Sequence, residues 1–195
     1  MDIGDRLKAF WEKYATECIT ILAMLVIGTC MHFVLDVFDS PAAVNALGWL
    51  FPVNESLWEH MKLLWYPFLG AGVVLSVKMK DAGYFGGFVI GGVVAVLAMI
   101  GAFAFYQSIA NQSILALDLS LYVLVTVLSA LLAFALSRRA WCRRALPLWI
   151  ICAVLMTFAV VYLTYRPGTG YLFFDGHAEP NDELSLIPLF VGWCT

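Results

Sequence analysis

Five apolar blocks of roughly 20 residues each constrain this sequence more than anything else in it. That is the length an α-helix needs to cross a hydrocarbon core about 30 Å thick. In such a solvent each segment must satisfy its own backbone hydrogen bonds, which a helix does alone and a single strand does not. The expected fold class is therefore all-α: a polytopic membrane protein with transmembrane helices at about 17–38, 54–77, 84–106, 114–136 and 146–165. Composition agrees, since 63% of the 195 residues are hydrophobic and 13% charged, against roughly half and a quarter in a soluble domain. Residues 1–195 read as a single membrane domain. The first 16 form a short amphipathic helix with Ile3, Leu7, Phe10, Trp11 and Tyr14 on one face, suited to the membrane interface. The first apolar block is too long for the core of a cleaved signal peptide and is expected to act as an uncleaved targeting signal. The five cysteines show no C-x-x-C spacing, which excludes a zinc ribbon or a thioredoxin-like motif.

The placement of charge orients the bundle. Of the 11 Lys and Arg residues, all but Lys62 and Arg166 fall before the first block, between the second and third, or between the fourth and fifth. With five spans these segments share one side, which the positive-inside rule makes cytoplasmic. The N-terminus is then inside, and the tail 166–195 is extracytoplasmic, in the cell (plasma) membrane. Membrane lipids are the expected surroundings, and no nucleic acid partner is implied. Gly87 and Gly91, within the glycine-rich start of the third helix, form a small-xxx-small pair. That face suits close packing, either within one bundle or across a homo-oligomer.

The unusual chemistry lies in Pro52-Val-Asn-Glu-Ser-Leu-Trp-Glu-His-Met-Lys62, which opens the second helix. Ser56 with Glu59 three residues on has the spacing of a capping box. Ser56 and His60 are four apart, as are Glu55 and Glu59, and as are His32 and Asp36 near the end of the first helix, so each pair shares a helical face. Asp118 enters from the fourth helix, and Asp175 and His177 from the tail. With Asn54, all of these belong to the extracytoplasmic half. Leaving a charge against lipid costs roughly 2.5–3.5 kcal/mol on insertion scales, so they should turn inward and meet.

Several readings of this cluster stand. It can be a buried polar network that caps the second helix and stabilises the bundle. It can be a zinc site with His32, His60 and Asp36 as ligands, His177 as a fourth from the tail, Glu59 as base, and Ser56 or Asp118 orienting water or substrate. It can line a transport or proton path, although the cytoplasmic half offers no matching groups and no inverted repeat is visible. A metal-free serine hydrolase of Ser56, His60 and Asp118 is a further form, but Ser56 and His60 on one helical turn do not make a nucleophile elbow. The reading carried forward is a zinc-dependent hydrolase of a lipid-like or amide-containing small molecule. Its alternative is a non-enzymatic membrane protein.

The stretch from Phe51 to Pro67, with the tail's Ile187-Pro-Leu-Phe190, resembles the signature of a family of small bacterial multi-pass membrane proteins with no assigned function. That resemblance implies fold and location. Ser56-Leu-Trp-Glu-His60 is also similar to a pattern in the superfamily of alkaline ceramidases and adiponectin-type receptors, where a serine or asparagine precedes a zinc-ligand histidine by four residues. That resemblance implies zinc and hydrolysis. This chain departs from it in having five spans rather than seven, and in lacking the H-x-x-x-H pair of the last helix.

Overall fold

No proline or glycine falls between Phe10 and Ile27. The amphipathic stretch and the first apolar block accordingly fuse into one helix, α1 (Ile3–His32), where the sequence suggests two elements. At a rise of about 1.5 Å per residue it is longer than the hydrocarbon core, so its N-terminal turns extend beyond the membrane-length segment Trp11–His32. In this computed structural model, which describes residues 3–38, 40–110, 114–168 and 171–173, the described residues are helical or in short connecting segments and none is in a strand. Among the described residues, five helices are long and apolar enough to cross a membrane.

A turn at Phe33 ends α1, and α2 (Val34–Phe38) follows. The segment between the first two expected spans contains α3 (Pro41–Leu47), capped by Ser40, whose Oγ accepts from Ala43 N at 3.2 Å, with proline in the first turn. Next come α4 (Leu57–Met79), α5 (Gly83–Ala110) and α6 (Leu115–Ser137). A short helix α7 (Ala140–Arg144), α8 (Leu146–Tyr165) and a 3-10 turn at Tyr171–Phe173 complete the described chain.

The central element is α4, which packs against α1, α5 and α8. Trp65, Phe68 and Met61 on it are fully buried. Trp65 also donates through Nε1 to Thr157 Oγ1 on α8 at 3.0 Å. In lipid, helices gain little from hydrophobic transfer, so close fit must hold them. The glycine-rich face of α5 supplies it within the chain. A Cβ at Gly87 would lie 2.5 Å from Ala133 O of α6, and one at Gly91 would lie 2.8 Å from Ala133 Cβ and 3.0 Å from the Phe68 ring. The small-xxx-small pair is thus engaged inside one bundle.

Pro67 sits inside α4. Proline supplies no N–H to the carbonyl four residues back and its ring crowds that carbonyl, here Leu63 O. That oxygen faces α1 at Gly28, where a Cβ would lie 2.6 Å from it and 2.1 Å from Tyr122 Oη. Gly28 and Pro67 together let α1 approach α4 closely, one helical turn below His32. Arg138 of α6 pairs with Glu17 of α1 at 3.0 Å, which puts the N-terminal part of α1 beside the end of α6. The end of α1, the start of α4 and the end of α8 lie at the opposite end.

Candidate metal centre

The chain enters α4 through a held loop. Ser56 has extended backbone and is the N-cap, its Oγ accepting from Glu59 N at 3.4 Å. The reciprocal half of a capping box is absent. Ser56 N donates to Asn54 Oδ1 at 3.1 Å, while the Glu59 carboxylate accepts from Val53 N at 3.0 Å. Glu55 therefore precedes the helix, and spacing along a helical face does not govern where its side chain goes. It turns to His60 and, across the helix pair, to His32.

His32 Nε2 and His60 Nε2 lie 3.1 Å apart. Glu55 Oε2 is 3.3 Å from His60 Nε2 and 3.6 Å from His32 Nε2. Among the described residues these three are the group able to hold a metal ion. Ligands bound at 2.0–2.2 Å around a tetrahedral zinc are separated by about 3.3–3.6 Å. A point about 1.9 Å from all three atoms follows from the measured separations, so an ion slightly out of their plane reaches ordinary zinc bond lengths.

The tautomer of His60 fits that use. Its Nδ1 lies 2.9 Å from Ser56 O, a carbonyl that can only accept, so Nδ1 carries a proton; the neutral ring then has an Nε2 lone pair for an ion, and the protonated ring donates from Nε2 to Glu55 instead. The side chains of His32 and His60 are 26% and 27% exposed and that of Glu55 45%, so the group is open on one side. Hydrogen bonding to His32 first, then to His60, holds the Glu55 carboxyl well below the usual carboxylate range, against an opposing push from burial.

The other expected participants are placed as follows. Ser56 Oγ caps the helix, and it is the Ser56 carbonyl that orients His60. Glu59, expected as a base, is buried in a different network. It pairs with Lys62 in a short contact, and its Oε1 accepts from Thr164 Oγ1 of α8 at 2.9 Å. Neighbours on a helix point about 100° apart, which separates Glu59 from the face of His60. Asp118 accepts a hydrogen bond from Tyr106, joining α6 to α5, and is not one of the three clustered residues. Asp36 lies in α2, beyond the turn that ends α1, so the four-residue spacing from His32 does not run along one continuous helix. The Asp36 side chain, Asp175 and His177 lie outside the described residues.

Lys62 had no part in the sequence reading beyond its odd position among the cations, yet it is fully buried. Its Nζ donates to Gly48 O at 2.6 Å, to Phe51 O at 3.1 Å and to Glu59 Oε2. The available signal was a lysine two residues after a histidine, inside a membrane helix.

A protein family described as a family of unknown function (DUF6512) matches residues 6–179. Comparison with curated proteins and with solved structures gives no match.

Proposed function

We propose, for a chain that belongs to this family of unknown function, that His32, His60 and Glu55 hold a zinc-class ion at the membrane boundary and use it for hydrolysis. The observation that carries the reading is the triangle of ligand atoms, with edges of 3.1, 3.3 and 3.6 Å. Two imidazoles and a carboxylate with one side open match a catalytic rather than a closed structural zinc. Such an ion lowers the pKa of bound water to about 7 and polarises a carbonyl. The zinc-bound hydroxide oxygen would bond to the carbonyl carbon, the carbon–oxygen or carbon–nitrogen bond would break, and the hydroxide proton would pass to the leaving group. No separate carboxylate base is required for that attack.

The substrate class follows from location. His32 ends one membrane-length helix, and Glu55 and His60 flank the start of another. Phe33, whose ring packs against that of His32, and Val26 and Ile27 further down α1 are exposed apolar side chains suited to acyl chains. An ester or amide of an amphiphilic, lipid-like molecule fits both the interface and the chemistry. The cations grouped at the far end of the bundle support an N-terminus in the cytoplasm and a C-terminus outside the plasma membrane, which puts the centre on the extracytoplasmic side. Reporter fusions to each terminus test that orientation.

The test of function is hydrolysis of a panel of fluorogenic N-acyl amides and esters by zinc-loaded protein in micelles. Turnover removed by a chelator and by His60→Ala supports the reading, and turnover no higher than that of His60→Ala on every member contradicts it. A second reading draws on the same atoms. The 3.1 Å approach of the two Nε2 atoms also suits a shared proton, and the cluster would then stabilise the bundle or hold a ligand without catalysis. In that case the protein binds no metal and the histidine variants lose stability alone.

A further inference from the structure

We infer that Glu59 and Lys62 are positioning residues for the His32–Glu55–His60 centre: their buried pair, tied to α8 through Thr164, fixes the chain from Gly48 to Ser56 and so sets Glu55 against the two imidazoles. The functional meaning of this device rests on the metal reading above, but its geometry does not.

An ammonium has three protons to donate, and Lys62 uses three acceptors: Gly48 O, Phe51 O and Glu59 Oε2. The first two are loop carbonyls that would otherwise face the bundle unpaired. Glu59 then brackets Glu55 from both sides. Its carboxylate takes Val53 N, two residues before Glu55, and its own N–H is taken by Ser56 Oγ, one residue after. The other carboxylate oxygen is held by Thr164. Tyr66 Oη on Trp49 O at 2.6 Å and Tyr165 Oη on Asn45 O at 3.1 Å secure the approach to the loop. A charged pair with 0% and 4% side-chain exposure at the membrane end of a helix is an expensive way to close a loop. It sits where the loop must deliver one carboxylate to ligands on two different helices. Outer groups that orient metal ligands act in this manner, and their loss weakens metal binding about 10–100-fold.

The test uses full-length, metal-free protein in micelles, selectively labelled at glutamate and histidine. NOEs between the Glu55 side-chain methylenes and the imidazole protons of His32 and His60 report whether Glu55 is set against the two rings, and they are assigned by their loss in Glu55→Ala. In wild-type protein these NOEs are present. In Glu59→Gln/Lys62→Met, which neutralises both members with little change of volume, they weaken or vanish. Thr164→Val, which releases only the α8 tie, weakens them less and serves if the double variant does not fold. A folded variant with unchanged Glu55–imidazole NOEs, even if less heat-stable, overturns the inference and leaves the pair purely structural. A cobalt(II) titration runs in parallel, with affinity expected to fall about 10–100-fold in the double variant. Wild-type protein that binds no cobalt refutes the metal reading, while the NOEs still decide the positioning role.

Discussion

Replacing Gly28 with alanine should weaken metal binding although residue 28 touches no ligand. The added Cβ would lie 2.6 Å from Leu63 O, a backbone atom, and 2.1 Å from Tyr122 Oη, the end of a side chain. The tyrosine can swing aside. The carbonyl cannot retreat into α4, because the Pro67 ring occupies that space. Restoring an ordinary carbon–oxygen contact of about 3.4 Å requires α1 to withdraw by about 0.8 Å. His32 sits one turn further along the same face and shares that movement. If it follows fully, its separations from His60 and Glu55 open from 3.1 and 3.6 Å to about 3.9 and 4.4 Å, while the Glu55–His60 separation holds at 3.3 Å. The point equidistant from the three atoms then moves from about 1.9 to about 2.3 Å away, so even an ion lying in their plane is held at the upper limit of the roughly 0.2 Å that zinc bond lengths tolerate. We expect zinc or cobalt(II) affinity to fall about 10–100-fold, or about 1.4–2.7 kcal/mol. Gly28→Ala/Tyr122→Phe should not restore it, because the carbonyl clash remains. Competition titration against a chromophoric chelator measures the affinity, and a thermal melt checks the fold. A folded Gly28→Ala protein with wild-type affinity would refute the view that this helix approach sets the ligand geometry.

Ser56→Ala should cost about 1 kcal/mol of stability through the lost cap, yet keep metal and turnover, because the His60 partner is the backbone carbonyl. Loss of all turnover with metal retained would instead make Ser56 a nucleophile. Lys62→Met should destabilise by about 3–5 kcal/mol by stranding the buried Glu59 carboxylate, and Glu59→Gln/Lys62→Met by clearly less, as read by thermal or denaturant unfolding. A double-variant loss equal to the sum of the Lys62→Met and Glu59→Gln losses would argue that the pair is not coupled. Because Glu55 has a lowered folded-state pKa, its contacts with His32 and His60 contribute stability above the ordinary glutamate pKa of about 4.3. That contribution is lost as pH falls through the lower folded value. Glu55→Gln should remove this part of the acid dependence in melts recorded across the acid range, and an unchanged profile would count against the contact.

The five membrane-length helices were legible because apolar length is a direct physical requirement of crossing lipid. Element boundaries were less so. The amphipathic start and the first span follow different rules of composition, but no residue between them breaks a helix, and α1 runs through both. The Ser40-Pro41 start of α3 carries a cap signal, but seven residues between two spans have no apolar periodicity that marks them as a helix. The pairing of His32 with His60 was legible from their depth and polarity. The place of Glu55 beside them was not: the sequence points to Asp36 as the carboxylate ligand and Glu59 as the base, and helical spacing does not place the side chain of Glu55, which precedes the helix. Lys62 stood out only as an exception to the charge asymmetry, since sequence does not show that two loop carbonyls would fold back to receive it. Gly28 gave no signal at all, because its role depends on a carbonyl released by a proline on another helix.

The central claim is that two imidazoles and one carboxylate on separate segments form a single cation site. Elemental analysis of wild-type protein purified without chelator, beside His32→Ala, Glu55→Ala and His60→Ala, tests it most directly. The account predicts about one zinc-class ion per chain in the wild type and loss of that ion from the variants while their helical content is retained. Wild-type protein that carries no transition metal, and takes up none when zinc is supplied in excess, would contradict it.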